Sequence, residues 1–116
     1  MGQTVASLTI HGPTGSCTLE GLADTAATFT KVPRLIAEAV GLRAGYETPV
    51  ELGDGRTVTR ALALADVELE GVRRPVLVAL AENGERPLIG YTTLETLGFK
   101  VNPVTHLLEK TTAIEL

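Results

Sequence analysis

The chain has 116 residues, 44% of them hydrophobic, and a formal net charge of −4. That length and apolar share are enough for one domain, spanning residues 1–116, with a core of its own. The negative balance, the lack of any basic run longer than Arg73-Arg74 and an aromatic share of 3% leave neither a phosphate footprint nor a base-stacking platform, so no nucleic acid partner is expected.

The N-terminus, Met1-Gly2-Gln3-Thr4, has neither the basic nor the apolar region of a leader. Ala6 stands where a myristoylation signal needs Ser or Thr. No apolar run reaches membrane-spanning length, so the expectation is a cytoplasmic protein with no membrane partner. Val5, Leu8 and Ile10 among polar residues predict a first strand, and Gly12-Pro13-Thr14-Gly15 a turn. A second strand through Cys17, Leu19, Leu22 and Ala23 delivers the chain to Asp24-Thr25-Ala26-Ala27-Thr28. Cys17 has no second cysteine to bond and no histidine near it that would make it a nucleophile, so it reads as an inert thiol. Cys17, His11 and His106 have no metal-ligand spacing; no metal or cofactor is expected, and the histidines read as surface or packing residues.

Pro33 opens a helix of about two turns with Leu35, Ile36, Ala39 and Val40 at helical spacing, Thr30 near its N-cap and Gly41 at its end. Strand character returns over residues 48–52 and 56–64, and Gly53-Asp54-Gly55 between them predicts a hairpin. A further hairpin follows, with Val67 and Leu69 before Glu70-Gly71 and Val72, Val76, Val78 and Leu80 after it. Pro75 places that second arm at an edge or a strand start. Residues 81–87 read as a polar loop, Leu88-Ile89-Gly90 as a short apolar segment, 92–97 as a second short helix closed by Gly98, and 99–108 as a last hairpin. Short strands with regular turn signals and two short helices describe a compact all-β domain.

Three landmarks stand in one order: an apolar strand entering Asp24-Thr25-Ala26-Ala27, the glycine-rich Gly53-Asp54-Gly55, and Leu88-Ile89-Gly90 followed by a short helix. In these the chain resembles retropepsin-like aspartic peptidases, in particular the small single-domain type of bacteria and archaea, whose chains continue with Thr-Phe-Thr and a Pro-started helix. The likeness is carried mainly by residues 24–40 and 87–103. The resemblance implies a closed β-barrel of the acid-protease type, working as a homodimer on peptide or protein substrates. It makes Asp24 the catalytic residue, residues 25–27 its active-site loop, Gly53, Asp54 and Gly55 the flap, and Leu88, Ile89 and Gly90 the structural support beneath the loop.

The chemistry fits those residue types. Hydrolysis without a metal or a nucleophilic side chain needs one carboxylate to activate water and one carboxylic acid to polarise the carbonyl. Two carboxyl groups held close together share a proton because both cannot ionise cheaply. Only one Asp-Thr-small sequence is present, so the second carboxylate must come from Asp24 of another copy, across a two-fold axis. The chain departs from the family in having Ala26 where Gly is usual, which opens a second reading as a non-cleaving peptide-binding or structural dimer. It also has Thr28 and Tyr91 where viral members place an acidic residue and an arginine that pair.

Overall fold

The computed structural model describes residues 3–82 and 84–115. Met1 and Gly2, on which the leader and acylation readings rest, lie outside the described residues, as does Asn83 of the expected polar loop. The elements in order are β1 (Val5–Gly12), β2 (Gly15–Asp24), β3 (Thr30–Pro33), α1 (Arg34–Ala39), β4 (Tyr46–Glu51), β5 (Thr57–Leu69), β6 (Val72–Ala81), β7 (Leu88–Gly90), α2 (Tyr91–Leu97), β8 (Phe99–Val101) and β9 (Leu108–Lys110).

Six strands form a ring in the order β1-β2-β7-β3-β6-β5, closed by the pairing of β5 back onto β1. Most neighbours are antiparallel, but β2 with β7 and β3 with β6 run parallel, so the barrel is mixed. Closure removes the open edges that a sheet of this size would otherwise present. β4 extends outward from β5 as the free arm of a hairpin, and β8 pairs with β9 in a separate two-stranded sheet. The inward faces of the ring, one face of each helix and Phe99 of β8 form a single, mainly aliphatic core that includes Leu8, Ile10, Val32, Val67, Val78, Ile89 and Leu94, all nearly or fully buried. The alternating exposed and buried positions of β5 and β1 are the period of a half-buried strand.

Several local expectations are corrected and others refined. Thr30 does not cap α1: it lies in a short strand that the sequence reading missed, and no side chain caps the helix. The arms expected at 56–64 and 67–69 are one 13-residue strand, β5, which reaches across the barrel. Its far end turns through Glu70 and Gly71, with φ +47° and +83°, the two-residue hairpin geometry that matches strand twist. Pro75 lies inside β6, opposite Asp66 of β5. β3 joins the other side of β6 only from Val78 onward, so that stretch is locally an edge and the missing N–H costs no ladder bond. The turn at Gly53-Asp54-Gly55 is a longer loop than a bare Asp-Gly hairpin, because Glu51 pairs with Thr57 and residues 52–56 form the connection. His11, isolated in sequence, meets Glu68 across the β1–β5 seam at 2.8 Å.

Candidate active site

Asp24 is the last residue of β2, and its place follows from the parallel pairing of β2 with β7, in which Leu22, Ala23 and Asp24 face Leu88, Ile89 and Gly90. Beyond it the chain turns sharply. Oδ1 of Asp24 accepts the N–H of Ala26 at 3.0 Å, and its carbonyl accepts the N–H of Ala27 at 3.1 Å. An aspartate that bonds its own backbone two residues on stabilises such a turn and fixes the carboxylate over it. Ala26 does not have positive φ, so its methyl imposes no left-handed strain.

The loop is fastened from behind by α2. The carbonyl of Ala27 accepts the N–H of Tyr91 at 2.7 Å, and the carbonyl of Thr28 accepts both the N–H and the hydroxyl of Thr92, at 3.0 and 2.7 Å. These N–H groups belong to the first turn of a helix and have no partner within it, so the loop and the helix end satisfy each other. Below them Thr30, fully buried, donates to Thr93 at 2.6 Å and accepts from the N–H of Gly90 at 3.0 Å. Gly90 is required by contact: a Cβ there would sit 2.3 Å from the carbonyl carbon of Phe29.

In front of the loop lies a cleft of about 670 Å³. One wall is the barrel, with Asp24, Ala26, Ala27, Lys31, Ala79 and Leu88. The other is the β4–β5 hairpin, with Pro49, Val50, Glu51, Leu52 and Gly53. Among the described residues Asp24 is the one aspartate that lines it. Asp66 pairs with Arg73 on the outer surface, and Asp54 is bound to Arg56, whose backbone N–H and guanidinium hold its pKa below the usual carboxylate range. Among the described residues no group of three or more His, Cys, Asp or Glu side chains is gathered as a metal would require.

The cleft also contains charges that sequence reading did not single out. Arg60, 8% exposed, directs both terminal nitrogens onto the two oxygens of Glu85, at 2.7 and 2.6 Å. Glu85 also accepts the N–H of Glu82 and lies 3.8 Å from Nζ of Lys31. Hydrogen bonds from Arg60 lower the pKa of Glu85 to about 2. Lys31 lies between Thr30 and Val32 in β3, which places it on the opposite face from its two buried neighbours, and with that strand unread nothing in the sequence marked it.

A sequence profile described as aspartyl protease matches residues 6–93, a span that holds Asp24, the hairpin and Leu88-Ile89-Gly90. The chain belongs to the aspartyl protease family. The retroviral protease-like domain of Ddi1 from Leishmania major is similar in structure, with a TM-score of 0.63 and 17% identity over 95% of this chain and 89% of that one. At that identity the likeness is one of fold, and it agrees with the retropepsin-like barrel with two short helices read from the sequence. No curated protein matches the chain.

Within this member of the aspartyl protease family, the cleft brings Asp24, Ala26, Ala27, Gly53 and Leu88 together. Thr25 is exposed beside it. Asp54 and Gly55 belong to the hairpin tip and stand outside the lining, and Ile89 and Gly90 are buried behind the Asp24 loop. No helix among the described residues is long and apolar enough to cross a membrane.

Proposed function

We propose that the protein is an aspartic endopeptidase that cleaves extended peptide segments as a homodimer, with Asp24 of each copy forming the catalytic dyad. The observation that carries this reading is the position of Asp24: a carboxylate fixed by its own loop, in a cleft whose opposite wall is a β-hairpin, with no second aspartate lining it among the described residues. Half a dyad cannot both activate water and protonate the carbonyl, so the partner carboxylate is supplied by a second copy. Tyr91, half exposed next to the Asp24 loop, is apolar surface that such a partner would cover.

In the dimer the ionised carboxylate of the pair takes a proton from water as the water oxygen attacks the scissile carbonyl carbon. The protonated partner donates its proton to the carbonyl oxygen, giving a neutral tetrahedral diol. Collapse then breaks the C–N bond as the amine nitrogen takes a proton from the protonated aspartate and a diol hydroxyl returns its proton to the ionised one, restoring the dyad. Thr25, exposed at the loop, would tie the two loops together across the axis. Gly53, Asp54 and Gly55 would form the tip of a flap that closes over the peptide and excludes water. The free edge of β4 offers N–H and C=O groups to an extended chain, as in strand addition.

The test is digestion of a diverse peptide mixture between about pH 3 and 8, read by mass spectrometry, with the Asp24→Asn protein alongside. Products from the unaltered chain alone are expected; equal turnover by Asp24→Asn would eliminate the dyad. A second reading, peptide binding without cleavage, draws on one observation: the methyl of Ala26 lines the cleft beside Asp24. It predicts bound peptide and no products, with cleavage appearing in Ala26→Gly.

A further inference from the structure

We propose that Lys31 sets substrate preference, selecting peptides with an Asp or Glu side chain within about three residues of the bond held at Asp24. The inference rests on the peptide-groove reading above and adds to it the chemical class of the substrate. Its basis is the pairing of the charges grouped at one side of the cleft. Three cations, Lys31, Arg34 and Arg60, meet two carboxylates, Glu82 and Glu85, and of these five Lys31 and Arg60 line the cleft itself. Arg60 takes both oxygens of Glu85 in a fork, and one of those oxygens is also bonded by the N–H of Glu82. Glu85 is thereby spent. Nζ of Lys31 stands 3.8 Å from it, outside hydrogen-bond distance, and Arg34 is engaged with Glu82 at 3.5 Å.

Of the three cations Lys31 has the longest ion pair, and it lines the cleft. Thr30 and Val32 on either side of it are fully buried in the barrel, which sends Lys31 to the other face of β3, where it lines the cleft with Ala79 and Leu88. Its side chain is 20% exposed at the wall it shares with Ala79 and Leu88. A carboxylate delivered by a peptide would give its ammonium a charge-assisted hydrogen bond, in a site where closure of the hairpin lowers the dielectric.

Two other charges face the space. Glu51 is on the opposing hairpin and exposed, and Asp24 is on β2. β7 lies between β2 and β3, so the strands of Asp24 and Lys31 are two inter-strand spacings apart, about 10 Å. That separation lets an acidic side chain reach Lys31 without meeting the Asp24 carboxylate, and it corresponds to about three residues of extended peptide. In a two-fold dimer the preference appears on both sides of the scissile bond.

The experiment measures fluorescence anisotropy of labelled decapeptides, matched except for Glu or Gln near the centre, on the Asp24→Asn protein and on the same protein with Lys31→Met or Lys31→Arg. Tighter binding of the Glu peptides, by about five- to tenfold at low salt, is expected. The preference should shrink toward unity at about 0.5 M salt, vanish in Lys31→Met and persist in Lys31→Arg. The arginine variant separates loss of charge from damage to the fold. Equal binding of both peptides, or a preference that survives Lys31→Met, overturns the proposal while leaving the peptide-groove reading intact. A preference for basic peptides assigns recognition to Glu51 and overturns it too. Binding of no peptide by any form removes both readings together.

Discussion

The two walls of the cleft use glycine for opposite purposes. On the barrel wall Gly90 is pressed against the backbone of Phe29 and Thr30, and the Asp24 loop it supports is tied to α2 by three hydrogen bonds. On the hairpin wall a Cβ at Gly53 or Gly55 would meet nothing within 4 Å, and alternate residues of β4 are exposed. Contact density sets local stability, so the first wall opens only with the whole fold while the second can move at small cost. A site built this way holds its carboxylate still and leaves the cover free to adjust to an extended ligand.

The largest expected effect tests the rigid wall. Gly90→Ala places a methyl inside backbone atoms that cannot rotate away, and the cost should exceed about 3 kcal/mol in urea unfolding. A loss under 1 kcal/mol would mean that the loop yields and that the two walls differ less than their packing implies. Thr30→Val should follow, at about 1 to 3 kcal/mol. It keeps the shape but leaves the N–H of Gly90 without its acceptor and Thr93 without its donor in a fully buried place. The double change Thr30→Val with Thr93→Val should recover part of that loss, because the unpaired hydroxyl is removed as well.

How far each wall could be read from the sequence follows the same division. Asp24, the two helices, the closing glycines Gly41 and Gly98, and the hairpin at Glu70-Gly71 were legible because each is a local signal: a turn, a helix period or a chain reversal written within a few residues. The closure of β5 onto β1 and the parallel pairings of β7 and β3 were not, since each joins segments more than fifty residues apart or depends on strands of three or four residues. Thr30 shows the limit. Its position before Pro33 resembles a helix cap, yet burial against Gly90 and Thr93 decides its role. Lys31, Arg60 and Glu85 were invisible as a group for the same reason, being brought together only by the pairing of β3, β5 and β6 and the loop that follows β6.

That charged group gives the next effect in size. The pKa of Glu85 is lowered in the folded chain from 4.5 to about 2, chiefly by hydrogen bonds from Arg60. Because the folded value lies below the unfolded one, its contribution is complete above about pH 4.5 and disappears as pH falls toward 2. Partial exposure of Glu85 screens the pair, so about 1 to 2 kcal/mol is expected. Glu85→Gln should lower stability by that amount at neutral pH and flatten the decline between about pH 4.5 and 2. Melting temperatures of both proteins across that range check it, and parallel curves would show that the Arg60 fork does little for the fold.

The smallest effect on stability is expected at the hairpin tip, where it separates the two walls most clearly. Gly53 has open space around its Cα and does not have positive φ, so Gly53→Ala should change stability by less than about 0.5 kcal/mol. Gly55, at φ +88°, should cost about 1 kcal/mol on the same change, because a side chain resists the left-handed region. Neither substitution touches the Asp24 loop. If the hairpin covers a bound peptide, both should alter turnover or peptide affinity by more than their stability cost accounts for, since Gly53 lines the cleft and Gly55 sets the turn that carries it. Unchanged peptide binding and turnover in both would reduce the hairpin to an exposed turn and leave the barrel wall as the whole of the site.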